Sequence, residues 1–503
     1  MSIKSPPPRG DLPPAELWLP TDLSELVPEA YALYRAPLRT TLAAFLDGLA
    51  PERRAEIAAH QTEISVGSSV TDRVMVLLHD CPSLHKLGQV VARDRRLDLA
   101  LRRRLATLET LPGSVPLESL RPTLRRELGA TVDVLDLGET LAEGSVCAVV
   151  PFTSAADASG VPPAGVLKIV KPGVHERLDE ELRLLPRVGA LFEELCLQAG
   201  LPTPAWRETL DQVAELLAGE VDLTAEQRHL DEARRLLRSH ERVVIPERFE
   251  LSTPHVTAMS RLYGRPLTES RGSLLERARL ASATIDALIA QPLLQPDGPA
   301  LFHADPHAGN LLATDDGRVG VIDWALVGRL SKSDRVQFVQ IALGALTLDR
   351  RRIVRAVIAL SRSTPDPEIL QDIVDRFLAK VRRGRLPGFA GLSSLLDEIV
   401  VSTSVRFPTR LLLFRKSLLT LEGVLRDLCP ELPVDVALLA AVGRQLVRDA
   451  PRRLFAWPGR RDFGTHLSNL ELLGLMTAPT RTTIRFWRQT LRDLQSLPEP
   501  SRS

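Results

Sequence analysis

Several things are scarce in this 503-residue sequence. Its four cysteines, Cys81, Cys147, Cys196 and Cys429, are dispersed and form no C-x-x-C pair. That argues against a disulfide framework or a zinc site and makes a reducing cytoplasm the default expectation. No run of 18 apolar residues occurs, so no transmembrane helix is expected. The nearest candidate, DVALLAAVGRQLV at 435–447, is too short and is interrupted by Arg444. The first residues, MSIKSPPPRGDLPP, lack an apolar core, so no signal peptide is expected. A net charge of +1 gives no general pull toward nucleic acid or acidic surfaces. Aromatics make up only 4% of the chain, a bias without mechanistic content. No G-x-G-x-x-G loop is present. Nothing in the sequence specifies an oligomeric state.

What is present is concentrated in LFHADPHAGNLLATDDGRVGVIDWALVG, residues 301–328. It contains His303, Asp305 and Asn310 in the order H-x-D-x-x-x-x-N, with Asp323 following the apolar run Val319–Ile322. A kinase-like fold orders its chemistry this way: a catalytic loop, a short hairpin, then a metal-binding Asp. In that reading Asp305 accepts the proton of the substrate oxygen. Asn310 and Asp323 converge on Mg²⁺ bridging the nucleotide phosphates. Each residue alone would read as turn chemistry; the ordered set between apolar strands points to phosphoryl transfer.

Residues 1–20 are Pro-rich. Leu23–Asp80 has helical spacing, and Ser83–Thr110 reads as a basic helix carrying HKLGQ. Leu117–Leu128 predicts another helix. The period then changes. Thr131–Asp136, Ser145–Phe152 and Gly165–Val170 are short β-branched runs, which predict an antiparallel sheet. Helices are expected over Glu176–Gln198 and Thr209–His240. Arg242–Ile245 and Val256–Leu262 read as the last strands of the same sheet. From Ser273 onward the pattern is helical, broken only at Asp305–Asp323. A sheet-containing lobe followed by a helical lobe, with the chemistry opening the second, predicts a two-lobed α+β fold of the protein kinase type.

Within GVLKIVKPG, Lys168 lies on a predicted strand and Lys171 opens a K-P-G turn. A strand Lys in this lobe can hold the α- and β-phosphates and pair with a helical Glu. Upstream, LAEGSV at 141–146 offers Gly144 and Ser145 as a loop where backbone amides could approach phosphate.

Taken together, these segments resemble the UbiB/AarF family of atypical kinases, protein kinase-like proteins linked to quinone and isoprenoid-lipid metabolism. KLGQ at Lys86–Gln89 matches the family's K-x-G-Q signature on its N-terminal helical extension. LAEGSV matches its Ala-rich loop, and VLKIVKPGV the segment with the nucleotide-binding Lys. EVDLTAE at Glu220–Glu226 matches its E-x-D motif and the Glu that follows. HADPHAGN and IDWALVG match the catalytic loop and metal segment, and RKSLLTLEGVLRDLCPEL its C-terminal signature helix.

The resemblance implies an ATP- or ADP-binding, Mg²⁺-dependent kinase or ATPase. Lys168 would be paired with Glu226, Asp305 would be catalytic, and Asn310 and Asp323 would hold metal. Ala142, Gly144, Ser145, Met259, Lys86, Gln89, Glu220 and Asp222 would lie around the nucleotide. It also implies that the KLGQ helix covers the active site, with Lys86 and Gln89 near Glu220 and Asp222 and poor access for protein substrates. The acceptor would be a small or lipid-like molecule. The implied segmentation is a Pro-rich and helical leader (1–80), the KLGQ extension (81–130), a nucleotide-binding lobe (131–265), a helical catalytic lobe (266–432) and a basic, aromatic tail (433–503).

Three segments depart from the family pattern. Glu143 and Gly144 interrupt the Ala-rich loop, and an acid facing phosphates is unfavourable unless it turns away or meets a cation. The D-F-G triplet is Asp323-Trp324-Ala325, which lacks the glycine hinge. Ser260 stands where members often have Glu, which leaves adenine contacts to backbone groups near Met259–Leu262. The I-D-W spelling is also similar to aminoglycoside phosphotransferases, but KLGQ and the LTLEGV helix do not belong to those. A non-catalytic nucleotide-binding scaffold is the alternative of another class.

In the tail, residues 440–503 hold 11 Arg against 5 acidic residues, a net +6, with Phe455, Trp457, Phe486 and Trp487 interleaved. Such a segment can lie on an anionic membrane, or it can be a helical appendage packing its aromatics on the catalytic lobe. No nucleic-acid-binding fold is recognised, so no nucleic-acid partner is expected. A cytoplasmic location, with at most peripheral membrane contact, is the expectation.

Overall fold

The computed structural model describes residues 29–64, 68–92, 115–154, 162–202, 206–363, 365–383, 388–403 and 405–477, with Ala15, Leu19, Leu23, Ser24 and Val27 singly. The chain divides into two compact units, one of 1–227 with 248–261, the other of 228–247 with 262–503. The first division falls inside a helix, between Gln227 and Arg228.

The first unit is built on an antiparallel sheet of β1 (Leu135–Leu137), β2 (Ala142–Glu143), β3 (Cys147–Ser154), β4 (Ala164–Val170) and β6 (Val256–Met259), in the order β1-β3-β4-β6 with β2 also on β3. Residues Gly165–Val170 of β4 are all buried. The strand is therefore an apolar run covered on both faces, and the one charge in it, Lys168, needs a partner. The helix Leu117–Leu128 covers one face through Leu120 and Leu124, which pack with Ala148, Val150, Leu167 and Ile169. A second core gathers Phe45, Leu46, Ile57, Leu77, Leu84 and Val170 from the N-terminal helices and the sheet. Lys171-Pro172-Gly173 forms the expected turn. Gly173 adopts a φ of +67°, open to glycine without strain, and caps the helix Val174–Gln198.

Three local expectations are corrected. Thr131–Val134 is not strand: it lies in a 3₁₀ turn, Gly129–Val134, that continues the preceding helix past Gly129, and only Leu135–Leu137 pairs with β3. Thr209–His240 is two helices, Trp206–Val221 and Leu223–Leu236, broken at Asp222. Arg242–Ile245 supplies β5 (Val243–Val244), but β5 pairs parallel with β10 (Val319–Val321) in the second unit, outside the first sheet. Of the basic helix expected over Ser83–Thr110, Pro82–Ala92 is helical, and the rest lies outside the described residues.

The second unit is mostly helical, with two small sheets. One has the order β5-β10-β9-β7, where β7 is Gly264–Pro266 and β9 is Leu311–Thr314. The other pairs β8 (Ala300–His303) with β11 (Val327–Leu330) antiparallel. The interruption of helix thus runs from Ala300 to Leu330, wider than Asp305–Asp323. Phe302, Leu330, Ile353, Val357, Phe377 and Phe414 are part of the core beneath. The fold is the expected α+β, two-lobed kinase-like class. Among the described residues, no helix is long and apolar enough to cross a membrane.

One buried group in the first unit makes its stability pH-dependent. The Glu181 carboxyl is fully enclosed, accepts the Ser83 N–H at 2.8 Å and has the Arg53 guanidinium only at 3.9 Å. Burial outweighs these partners and pushes its pKa up to about 7. Between pH 4.5 and 7 the unfolded chain releases this proton while the folded chain keeps it. Stability therefore falls as pH rises through that window, by at most about 3 kcal/mol, and levels off above it. Melting curves at pH 5 and pH 8 check this: Glu181→Gln should shrink the difference between them, and an unchanged difference would refute the assignment.

Candidate active site

In the first unit, Lys168 and Glu226 meet. The Lys168 ammonium donates to both carboxylate oxygens of Glu226 at 2.7 and 2.8 Å, and both residues are buried. Strand β4 fixes the Lys through its pairing with Val149 and Thr257 on either side. The helix Leu223–Leu236 fixes the Glu. Asp222 starts this helix by accepting the Ala225 N–H at 2.9 Å, and this cap also explains the break.

Lys86 and Gln89 are buried on the helix Pro82–Ala92. The Lys86 ammonium is bonded to Glu220, whose other oxygen accepts the Ser145 hydroxyl at 2.5 Å. The expected link between the KLGQ helix and the E-x-D motif therefore forms through Glu220. Asp222 is exposed and serves as the helix cap instead. Gln89 contacts the His85 ring at 3.2 Å.

Ala142 and Glu143 form β2, and Gly144 donates to the Cys147 carbonyl at 2.9 Å, closing a tight hairpin onto β3. Glu143 is buried and meets a cation: the Lys171 ammonium donates to it at 2.6 Å. The acid that departs from the family pattern is thus neutralised within the same lobe. Sequence reasoning missed this pairing, although Lys171 stands in the quoted segment. Met259 ends β6, paired with Val166.

In the second unit, β8 delivers His303 and then Asp305. The Asp305 N–H donates to His303 Nδ1 at 3.2 Å, and His303 Nε2 donates to the Ile322 carbonyl at 3.3 Å. Burial lowers the His303 pKa, so the ring stays neutral in this tautomer. Asn310 Nδ2 donates to the Asp305 carbonyl at 3.1 Å, and the Ile322 N–H donates to the Asn310 carbonyl at 3.0 Å. Asp305, Asn310 and the segment leading to Asp323 are therefore tied by one side-chain and one backbone hydrogen bond, both accepted by main-chain carbonyls. The hairpin of β9 and β10 turns at Gly317, whose φ is +79°.

Asp323 itself adopts a φ of +59°, and its carboxylate accepts the Ala325 N–H at 3.3 Å. The left-handed demand in this triplet falls on the Asp, and Ala325 carries none. Trp324 is buried with its ring edge against His303, centroids 4.8 Å apart, and its Nε1 donates to Val321.

The C-terminal signature helix Thr409–Leu428 also reaches this loop. Ser417 Oγ donates to the His303 carbonyl at 2.7 Å, and the Lys416 ammonium lies 3.9 Å from Asp305 Oδ1. Sequence reasoning assigned neither residue, because the motif was recognised as a helix and not as a set of side chains.

Among the described residues, no three His, Cys, Asp or Glu side chains form a metal-binding group. The two side chains that the sequence offers as metal donors, Asn310 and Asp323, both carry oxygen. Hard oxygen donors that leave places for water and phosphate suit Mg²⁺ rather than zinc or copper.

Each unit thus carries part of the residue pattern of a kinase-like fold. The family model described as "ABC1 atypical kinase-like domain" matches residues 153–357. The sequence is 25% identical over 476 residues to "Probable protein kinase UbiB" of Xanthomonas oryzae pv. oryzae (strain MAFF 311018), covering 87% of this chain and 82% of the relative. The protein of the same name from Xanthomonas campestris pv. campestris (strain B100) is 25% identical over 478 residues, with the same shares. A solved structure titled "The complex structure of Rv3197-erythromycin from Mycobacterium tuberculosis" matches with a TM-score of 0.46 and 17% identity, covering 74% of this chain and 94% of that one. Residues 153–357 thus match the ABC1 atypical kinase-like domain, and most of the chain is similar to UbiB-type proteins.

Proposed function

We propose that this chain binds ATP with Mg²⁺ and acts as a phosphotransferase or ATPase on a small, lipid-like acceptor, in or in support of quinone or isoprenoid metabolism. The observation that carries this reading is the Asp305–Asn310 loop clamped to the segment that leads from β10 to Asp323. Asp305 accepts the acceptor's proton or orients water. Asn310 and Asp323 hold Mg²⁺, which when bound neutralises phosphate charge. In the first unit, Lys168, oriented by Glu226, grips phosphates, and backbone near Gly144, Ser145 and Met259 contacts the nucleotide.

An apolar cavity of about 290 Å³ in the second unit supports the lipid-like acceptor. It is bordered by Phe338, Leu392, Leu411, Phe414 and Leu418, the last three on the signature helix. Single-turnover hydrolysis of MgATP by the full chain is the test. Binding without turnover would favour the scaffold alternative, and absence of both would sink the reading.

The tail supports contact with an anionic membrane surface. The appendage reading requires Phe455 and Trp457 to be packed, but they are 92% and 80% exposed. The turn that carries them is held by Arg453, which lies 3.9 Å over the Phe463 ring and donates to the Leu467 carbonyl at 3.0 Å. Arg448, Arg452 and Arg460 are exposed around it. Phe486 and Trp487 lie outside the described residues. Co-sedimentation should show binding to vesicles containing anionic lipid and little to neutral ones, and Phe455→Ser with Trp457→Ser should weaken it about tenfold or more. Equal binding of wild type and variant would remove this surface from the proposal.

A further inference from the structure

We propose that Lys416 is a catalytic residue whose ammonium contacts the transferring γ-phosphoryl group beside Asp305, an inference that rests on the phosphotransferase reading above. Residue 416 lies outside the segment matched by the kinase-like family model.

The placement is fixed by neighbours on the same helix. Phe414 packs edge-on to Phe302 of β8, centroids 5.0 Å apart, and Ser417, buried, bonds the His303 carbonyl. These two contacts, three residues apart, set the helix face against the strand that delivers Asp305. Lys416, between them, extends along the loop to Asp305 Oδ1 and is 24% exposed.

Its separation from Asp305 is informative. A hydrogen-bonded ammonium and carboxylate sit about 2.7–2.9 Å apart. At 3.9 Å the two charges attract without closing a direct bond. Asp305 Oδ2 is flanked in the same way by His307 Nε2 at 4.0 Å. The other His307 nitrogen, Nδ1, accepts the Gly309 N–H at 3.1 Å, which leaves Nε2 as the nitrogen that carries hydrogen toward Asp305. Of the two flanking groups, Lys416 alone brings permanent positive charge.

That charge suits the reaction. As the acceptor oxygen bonds to the γ-phosphorus, the bond from phosphorus to the β,γ-bridging oxygen breaks. Its electron pair leaves on ADP, and the acceptor's proton passes to Asp305. The transferred group carries its charge on three oxygens, and Asp305 adds another negative charge beside them. A fixed ammonium at the proton-accepting carboxylate offsets both. A simple ion pair that only steadies Asp305 would use the same geometry but would be indifferent to the third phosphate.

Calorimetric titration of the full chain separates these. The ligands are Mg²⁺ with the β,γ-imido analogue of ATP, and Mg²⁺ with ADP. Lys416→Met should weaken the triphosphate analogue about 10- to 100-fold while changing ADP affinity less than about threefold. Single-turnover rate should fall at least about tenfold. Lys416→Arg should recover part of both losses. Arg415→Met, which removes the neighbouring cation paired with Asp397, should leave the triphosphate preference unchanged. If Lys416→Met does not fold, Lys416→Gln carries the same comparison. Equal loss for both nucleotides, or no loss, overturns the role of Lys416 while leaving the phosphotransferase reading intact. Failure of the wild type to bind either nucleotide overturns both.

Discussion

Replacing Asp305 with Asn is expected to lower single-turnover phosphoryl transfer about a thousandfold while leaving MgATP affinity the same or slightly tighter. The carboxamide has nearly the volume of the carboxylate but cannot accept a proton, and a positioned general base contributes about 10²–10⁴-fold. The loop should keep its shape, because the bonds that define it use the Asp305 backbone: its N–H to His303 and its carbonyl to Asn310. Removing one negative charge beside the phosphates can only ease nucleotide binding. Rapid-quench measurement alongside calorimetry checks both halves. Unchanged turnover would take Asp305 out of the chemistry, and lost binding would point to a collapsed loop.

The parts legible in the sequence were those whose spacing is short and whose residue types are chemically committed. Asp305, Asn310 and Asp323 lie within 19 positions, and hydrogen bonds from the Asn310 side chain to the Asp305 carbonyl and from the Ile322 N–H to the Asn310 carbonyl span most of that interval. Lys168 and Glu226 are farther apart, yet each sits on an element with a clear period. Their pairing followed from the resemblance and is realised as a bidentate ion pair.

What sequence could not decide was which distant partner a short element chooses. Arg242–Ile245 has the composition of any buried strand, and nothing local distinguishes pairing with β6 from pairing with β10. Thr131–Val134 is β-branched, but it follows Gly129 at a φ of +56°, and the tight 3₁₀ turn there outweighs propensity. The break at Asp222 was readable, since an Asp before Leu-Thr-Ala is a helix start signal. The contact between Lys416 and Asp305 was not readable, because it depends on how a helix more than a hundred residues later packs on β8.

The second large effect is expected at Asp323. Asp323→Asn should lose the thermal stabilisation given by MgATP, with affinity down about a hundredfold or more, while unfolding free energy without ligand changes by less than about 1 kcal/mol. The reason lies in the backbone. A φ of +59° is strained for most side chains, but Asn and Asp visit this region readily. Asn can also keep the bond from the Ala325 N–H through its own Oδ1. The substitution therefore isolates the charge. Asp323→Ala is the useful contrast: it removes the charge and also places a residue that resists positive φ, at a cost of about 1–2 kcal/mol. If Asp323 acts only as a turn residue, Ala should destabilise the protein and Asn should leave the MgATP shift whole. If it holds the cation, both should abolish the shift and only Ala should lower the melting temperature of the free protein. An Asn variant with an undiminished MgATP shift would end the metal role.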